Sequence, residues 1–114
     1  MGVIKYLVDR MQNKAPKGAK RSPKWAKVRK AKLLLQPECE VCGCTHALEV
    51  HHVIPFHIAP EKELDIDNLI VLCQNKKYGI NCHLLIGHMG NFKTFNILCR
   101  IDAVTWRMKL KSVK

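Results

Sequence analysis

The sequence predicts an α+β fold: one small domain of two short strands and flanking helices, tied together by cysteines. Three observations point there. Apolar residues recur at helical spacing after Ser22-Pro23, two apolar runs of strand length end at Pro55 and Cys73, and Cys39, Cys42, Cys73 and Cys82 bracket both runs. At 114 residues the chain is one domain, and its thin core would gain from a structural metal.

The elements follow in order. Residues 1–21 hold a short apolar patch, then Asn13-Lys14-Ala15-Pro16-Lys17-Gly18, and are expected to form a flexible basic arm. Ser22 followed by Pro23 is a helix start, because Ser caps free N–H groups and Pro has none to lose in the first turn. The spacing of Trp25, Val28, Ala31 or Lys32, and Leu35 predicts an amphipathic helix over 23–36, ending before Pro37. Trp25 is read as the core anchor of that helix. Residues 39–46 form a compact turn, and Ala47–Ile54 reads as a strand stopped by Pro55. A long loop over 55–67 carries four of the nine acidic residues. Leu69–Leu72 is a buried strand antiparallel to the first, and 74–81 a loop. A second helix starts at His83 and is shortened by Gly87 and Gly90. Asp102 is expected to cap a last helix carrying Val104, Trp106 and Met108. The chain thus divides into an arm (1–21), a central domain (22–100) and a basic C-terminal helix or tail (101–114).

The net charge of +11 is unevenly spread: about +10 over residues 1–32, −3 over 33–99 and +4 over 100–114. Basic ends around a mildly acidic middle attract polyanions through counterion release. Lys24, Lys27, Arg29 and Lys30 on the polar face of the first helix, with Lys93, are the candidate nucleic-acid contacts. No apolar run approaches the ~18 residues of a membrane span. Lys5, Asp9 and Arg10 interrupt what would be the apolar centre of a secretory signal. A soluble, cytoplasmic protein is expected.

Without a secretory signal, six cysteines read as metal ligands rather than disulfides. Cys39-x2-Cys42 is a metal knuckle whose turn Gly43 permits, and Cys73 with Cys82 would complete a structural Zn²⁺ site of four thiolates. Cys44 and His46 compete for the fourth place, Cys44 being the main alternate. Cys99 reads as a buried apolar thiol.

The stretch Glu49-Val50-His51-His52-Val53-Ile54-Pro55, with Asn68 and His83 further on, carries the chemistry. Side chains alternate along a strand, so His51 and His52 point to opposite sides. One imidazole can hold a divalent metal, with His83, while the other stays free to take a proton from water. Asn68, between the strands, can tie the loop and orient that base. His88 is the substitute ligand to watch, but five residues after His83 it falls off the same face of a regular helix. His57 reads as structural or as a phosphate contact.

Cys39-x2-Cys42, Leu48-Glu49-Val50-His51-His52-Val53-Ile54-Pro55, Asp67-Asn68-Leu69-Ile70-Val71-Leu72-Cys73 and Cys82-His83 together resemble the HNH endonucleases, the ββα-metal (His-Me finger) nucleases with a zinc-ribbon-like cysteine frame. Arg21-Ser22-Pro23-x-Trp25-x3-Arg29 is similar to what precedes the knuckle there, so the likeness spans roughly 21–90. One departure is the eight-residue Cys73–Cys82 gap, where many relatives have two. The resemblance implies a ββα-metal finger that hydrolyses DNA. It makes His51 the first metal ligand, often Asp in relatives, His52 the general base, Asn68 the central Asn and His83 the last ligand. It implies 5′-phosphate and 3′-hydroxyl ends, nicking or double-strand cutting, and a monomer or weak homodimer. Members of this size occur in phages, restriction systems and mobile elements. An all-imidazole site suits Mn²⁺ or Ni²⁺ at least as well as Mg²⁺. Two other readings remain: a non-catalytic zinc-ribbon nucleic-acid-binding module, and a His-rich zinc hydrolase, which the absence of H-E-x-x-H disfavours.

Overall fold

A computed structural model describes residues 21–74 and 81–112. The expected arm over 1–21 lies outside the described residues except for Arg21, as does most of the loop expected over 74–81. The element order is helix α1 (Trp25–Leu35), strand β1 (Leu48–His52), two single 3₁₀ turns (Pro60–Lys62 and Ile66–Asn68), strand β2 (Leu69–Cys73), a π-helical segment (His83–Gly87) and helix α2 (Cys99–Ser112).

The two strands form an antiparallel sheet in which His51 pairs with Ile70 and His52 with Leu69. Every residue of β2 is buried, which explains its unbroken apolar run. Ile70 and Leu72 face one core with Cys39, Val41, Ile86, Cys99 and Ala103. Leu69 and Val71 face another with Val50, Trp25, Val28 and Leu33. The sheet is therefore the middle layer, with α1 on one side and the π-helical segment and α2 on the other. Alternation along β1 sends His51 and His52 to opposite layers.

α1 begins at Trp25, two residues later than Ser22-Pro23 suggests. Ser22 still starts it, since its hydroxyl accepts from Lys24 N–H and its carbonyl from Trp25 N–H. Trp25 and Val28 face the core as expected, but Leu35 is 69% exposed and Leu33 takes the inward place. β1 is shorter than 47–54 because Val53 and Ile54 leave the sheet to bond Asn68. α2 starts at Cys99, earlier than Asp102 suggests, and packs through Cys99, Ala103 and Leu110. Asp102 is no cap; its carboxylate accepts from Asn96 Nδ2, while Asn96 Oδ1 holds Leu98 N–H ahead of the helix. Arg100 on α2 donates to the carbonyls of Asp67 and Leu69, pinning the helix to the turn before β2. No described helix is long and apolar enough to cross a membrane.

Candidate functional site: a histidine cleft beside a four-cysteine cluster

The knuckle forms where Gly43, at φ +79°, turns the chain so that its N–H reaches Cys39 O. Cys39 and Cys42 then meet Cys73 at the end of β2 and Cys82 ahead of the π-helical segment. The four sulfurs lie within 4.8 Å of one another, and Cys42 and Cys73 are 3.6 Å apart. Zinc–sulfur bonds of about 2.3 Å would set tetrahedral neighbours about 3.8 Å apart, so the cluster could hold such an ion. A hydrogen bond from Cys82 holds Cys39 down at about 4, and the same bond pushes Cys82 up; burial raises Cys42 to about 12. Cys44 sits at the cluster's edge, bonded to His46 O. Cys99 is in the core, where burial pushes its thiol up to about 11.

Three histidines form the second cluster. His83 Nε2 is 3.2 Å from His51 Nδ1 and 3.2 Å from His88 Nε2. Metal–nitrogen bonds of about 2.1 Å put adjacent ligand nitrogens about 3.0–3.4 Å apart. These nitrogens already have that spacing. His88 thus joins His51 and His83 rather than replacing one, and the reason is the helix type. The segment after Cys82 is a π-helix, whose wider turn brings residues five apart onto one face, where an α-helix would not.

The far sides of the rings favour this use. His88 Nδ1 is 2.7 Å from Thr94 O, which can only accept, so Nδ1 carries a proton and the bond turns Nε2 toward the cluster. The Gln74 amide nitrogen is 3.1 Å from His83 Nδ1 and donates to it; with Nε2 given to a metal, Nδ1 would carry the proton and the amide would turn its oxygen to it. Burial first, then the His83 and His88 imidazoles, pushes His51 down to about 3, and burial with His88 pushes His83 down to about 4. Both are neutral at neutral pH, the form a metal needs.

Gly87 makes the close approach possible. A Cβ there would lie 3.2 Å from both His51 Nε2 and Leu72 Cδ1. Gly87→Ala is expected to displace the His51 ring and weaken Ni²⁺ or Mn²⁺ uptake by about tenfold or more, on the scale of losing a supporting contact to a ligand. Calorimetric titration, with zinc content as the control for folding, checks this.

His52 sits on the other layer. Its Nε2 is 2.9 Å from the Glu63 carbonyl, which can only accept, so Nε2 bears a proton, and among the described residues nothing bonds Nδ1. Burial lowers its pKa, opposed by that carbonyl. The Trp25 ring lies 4.6 Å away, so the core anchor of α1 also flanks this imidazole. Asn68 fixes the arrangement from behind. Its Oδ1 accepts from Ile54 N–H, and its Nδ2 donates to Ile54 O and Lys62 O, next to the carbonyl that holds His52.

An open cleft of about 380 Å³ is lined by His51, His52, His83 and His88. Arg21, Phe56, His57, Phe92, Lys93 and Phe95 form its walls. Arg21 stacks 4.3 Å over Phe56 and lies 3.9 Å from Glu63 Oε2. Of the candidate cationic contacts, Lys93 lines the cleft. Lys24, just ahead of α1, and Lys27 and Lys30 on it are exposed, and Arg29 is held by Leu48 O and the Glu49 carboxylate. The sequence reading missed Glu63, Gln74 and Thr94. Two act through backbone carbonyls, which no side-chain pattern reveals; Gln74 directly follows Cys73 and was open to inspection.

Neither the curated proteins nor the solved structures contain a match to this chain. The segment that supplies all four cysteines, His51, His52, Asn68 and His83 is nevertheless identified: residues 39–87 match the HNH endonuclease family model.

Proposed function

We propose that this protein is a metal-dependent endonuclease that hydrolyses DNA phosphodiester bonds, with His52 as general base. The observation that carries the reading is the division of labour in one cleft. Three imidazoles converge nitrogen to nitrogen, and a fourth stands apart, with Nε2 bonded and no partner for Nδ1 among the described residues. A purely structural cluster gives no reason for that fourth ring.

In this reading Nδ1 of His52 takes the proton of the attacking water. The Glu63 carbonyl, already bonded to Nε2–H, stabilises the imidazolium that forms. Asn68 keeps that carbonyl in place through Lys62. Arg21 and Lys93 offset the charge of the phosphate and its neighbours. A divalent ion held by His51, His83 and His88 would supply Lewis-acid stabilisation of the departing 3′-oxygen. The hairpin and the helical segment after it would then form a ββα-metal finger, and the four-cysteine cluster would hold structural zinc.

Three nitrogen ligands suit Mn²⁺, Co²⁺, Ni²⁺ or Zn²⁺ better than Mg²⁺, which prefers oxygen. The test is conversion of supercoiled plasmid to nicked and linear forms in Mg²⁺, Mn²⁺, Ni²⁺ or EDTA. The expected result is metal-dependent cutting that is at least as fast in Mn²⁺ or Ni²⁺ as in Mg²⁺. Tight plasmid binding without cutting in any metal would instead favour a zinc-ribbon binding module.

A further inference from the structure

The turn that follows the histidine cluster presents one aromatic ring that folding leaves half exposed. After the π-helical segment, Met89 and Gly90 take φ values of +53° and +84°, reversing the chain. The turn is then closed by many bonds. The Thr94 hydroxyl shares its one proton between His88 O and Asn91 O, Thr94 N–H also donates to Asn91 O, Asn91 N–H donates to His88 O, and Asn91 Oδ1 accepts from Lys93 N–H. In this closely bonded turn two large side chains stay open to solvent, Met89 at 59% and Phe92, its one aromatic ring, at 54% exposure.

The three phenylalanines of the cleft differ in their surroundings. Phe56 is covered by Arg21, and Phe95 faces His57 at 6.0 Å. Phe92 touches His83 and His88 at 5.6 and 5.0 Å and turns the rest of its surface to solvent at the mouth. Those two imidazoles do not need it for orientation, because Gln74 and Thr94 already hold their outer nitrogens. Leaving such a ring in water on a closely bonded turn forgoes burial energy.

We propose that Phe92 is a stacking platform for a nucleobase next to the scissile phosphate, with Lys93 beside it for the adjoining phosphate. The substrate is then DNA whose base at the cut is unstacked: a single strand, or a duplex opened locally at that step. The proposal rests on the nuclease reading only for where the phosphate lies. Stacking tolerates any base, so the residue selects strand state rather than sequence.

The experiment is fluorescence anisotropy with a labelled single-stranded DNA oligonucleotide, on the full zinc-loaded chain without added divalent metal. The same strand is also scanned with one abasic nucleotide at each position. Phe92→Ala is expected to weaken binding of the intact strand about tenfold, and Phe92→Trp to preserve it. One abasic position should weaken wild-type binding to the same degree and leave Phe92→Ala indifferent. Equal affinity of Phe92→Ala and wild type would overturn the proposal. So would an equal loss on intact and abasic strands, or a parallel loss of Ni²⁺ uptake, which would make Phe92 a buttress of the histidines. A wild type that shows the abasic pattern but cuts no plasmid refutes the nuclease reading alone. One that cuts plasmid while Phe92→Ala binds normally refutes the stacking alone. A wild type that binds no DNA refutes both.

Discussion

His52→Ala is expected to reduce plasmid cutting by about 10²–10⁴-fold, the range a positioned general base contributes. The loss should be confined to the chemical step. The His52 nitrogens lie outside the trio, so Ni²⁺ or Mn²⁺ affinity should be unchanged. Its ring is half-buried on the α1 side against Trp25, so the space it leaves can admit water and the fold should persist. Asn68→Ala is the informative companion. It removes the bonds to Ile54 and Lys62 that hold the Glu63 carbonyl behind the base, and it leaves buried backbone groups unpaired. It should lower both stability and rate, whereas His52→Ala lowers rate alone. Plasmid cutting with zinc content and thermal melting in parallel separates the two. A His52→Ala variant that retains wild-type rate, with its metals in place, would remove this residue from the chemistry.

The second large effect concerns the cysteines. Cys73→Ser is expected to abolish zinc retention and the cooperative melting transition together. A structural zinc site contributes an apparent ~10–16 kcal/mol, as much as the whole stability of a small domain at ~5–15 kcal/mol. Cys73 ends β2 and is fully buried, so its loss opens the cluster at the sheet itself. Two controls define the ligand set. Cys44→Ser should keep one zinc per chain, because its sulfur lies at the edge and is bonded to His46 O. Cys99→Ala should also keep zinc and lower stability by roughly 1 kcal/mol, as for a small core truncation. Zinc quantitation and circular dichroism melts, with and without chelator, check all three. Loss of zinc in Cys44→Ser with retention in Cys82→Ser would reassign the fourth ligand.

The elements with strong local signals were legible in the sequence. Ser22-Pro23, the unbroken run of β2 and Pro55 after β1 each report a local backbone preference, and the helix and both strands lie close to those signals, with α1 starting two residues later and β1 ending two residues earlier than they suggest. The clustering of Cys39, Cys42, Cys73 and Cys82 could be read because ligand spacing is a sequence property. His88 could not be placed. Its closeness to His83 depends on one widened turn, and periodicity assumes an α-helix. It also lies one residue beyond the segment that matches the family. Leu33 and Leu35 exchanged roles because a 3.6-residue period leaves the last inward position of a short helix to tertiary contacts. The start of α2 was missed because its signal is Asn96, whose side chain binds Leu98 N–H and Asp102 at once, a pattern without a simple motif.

One arrangement explains how the chain carries eight residues between Cys73 and Cys82 beside its cleft. Each end of that interval is a pair of neighbours, one facing each cluster: Cys73 with Gln74, and Cys82 with His83. With an ion on the sulfurs, both ends would be clamped. The two clusters would then share their anchor points: whatever fixes Cys73 and Cys82 also fixes Gln74 and the His83 ring that Gln74 bonds.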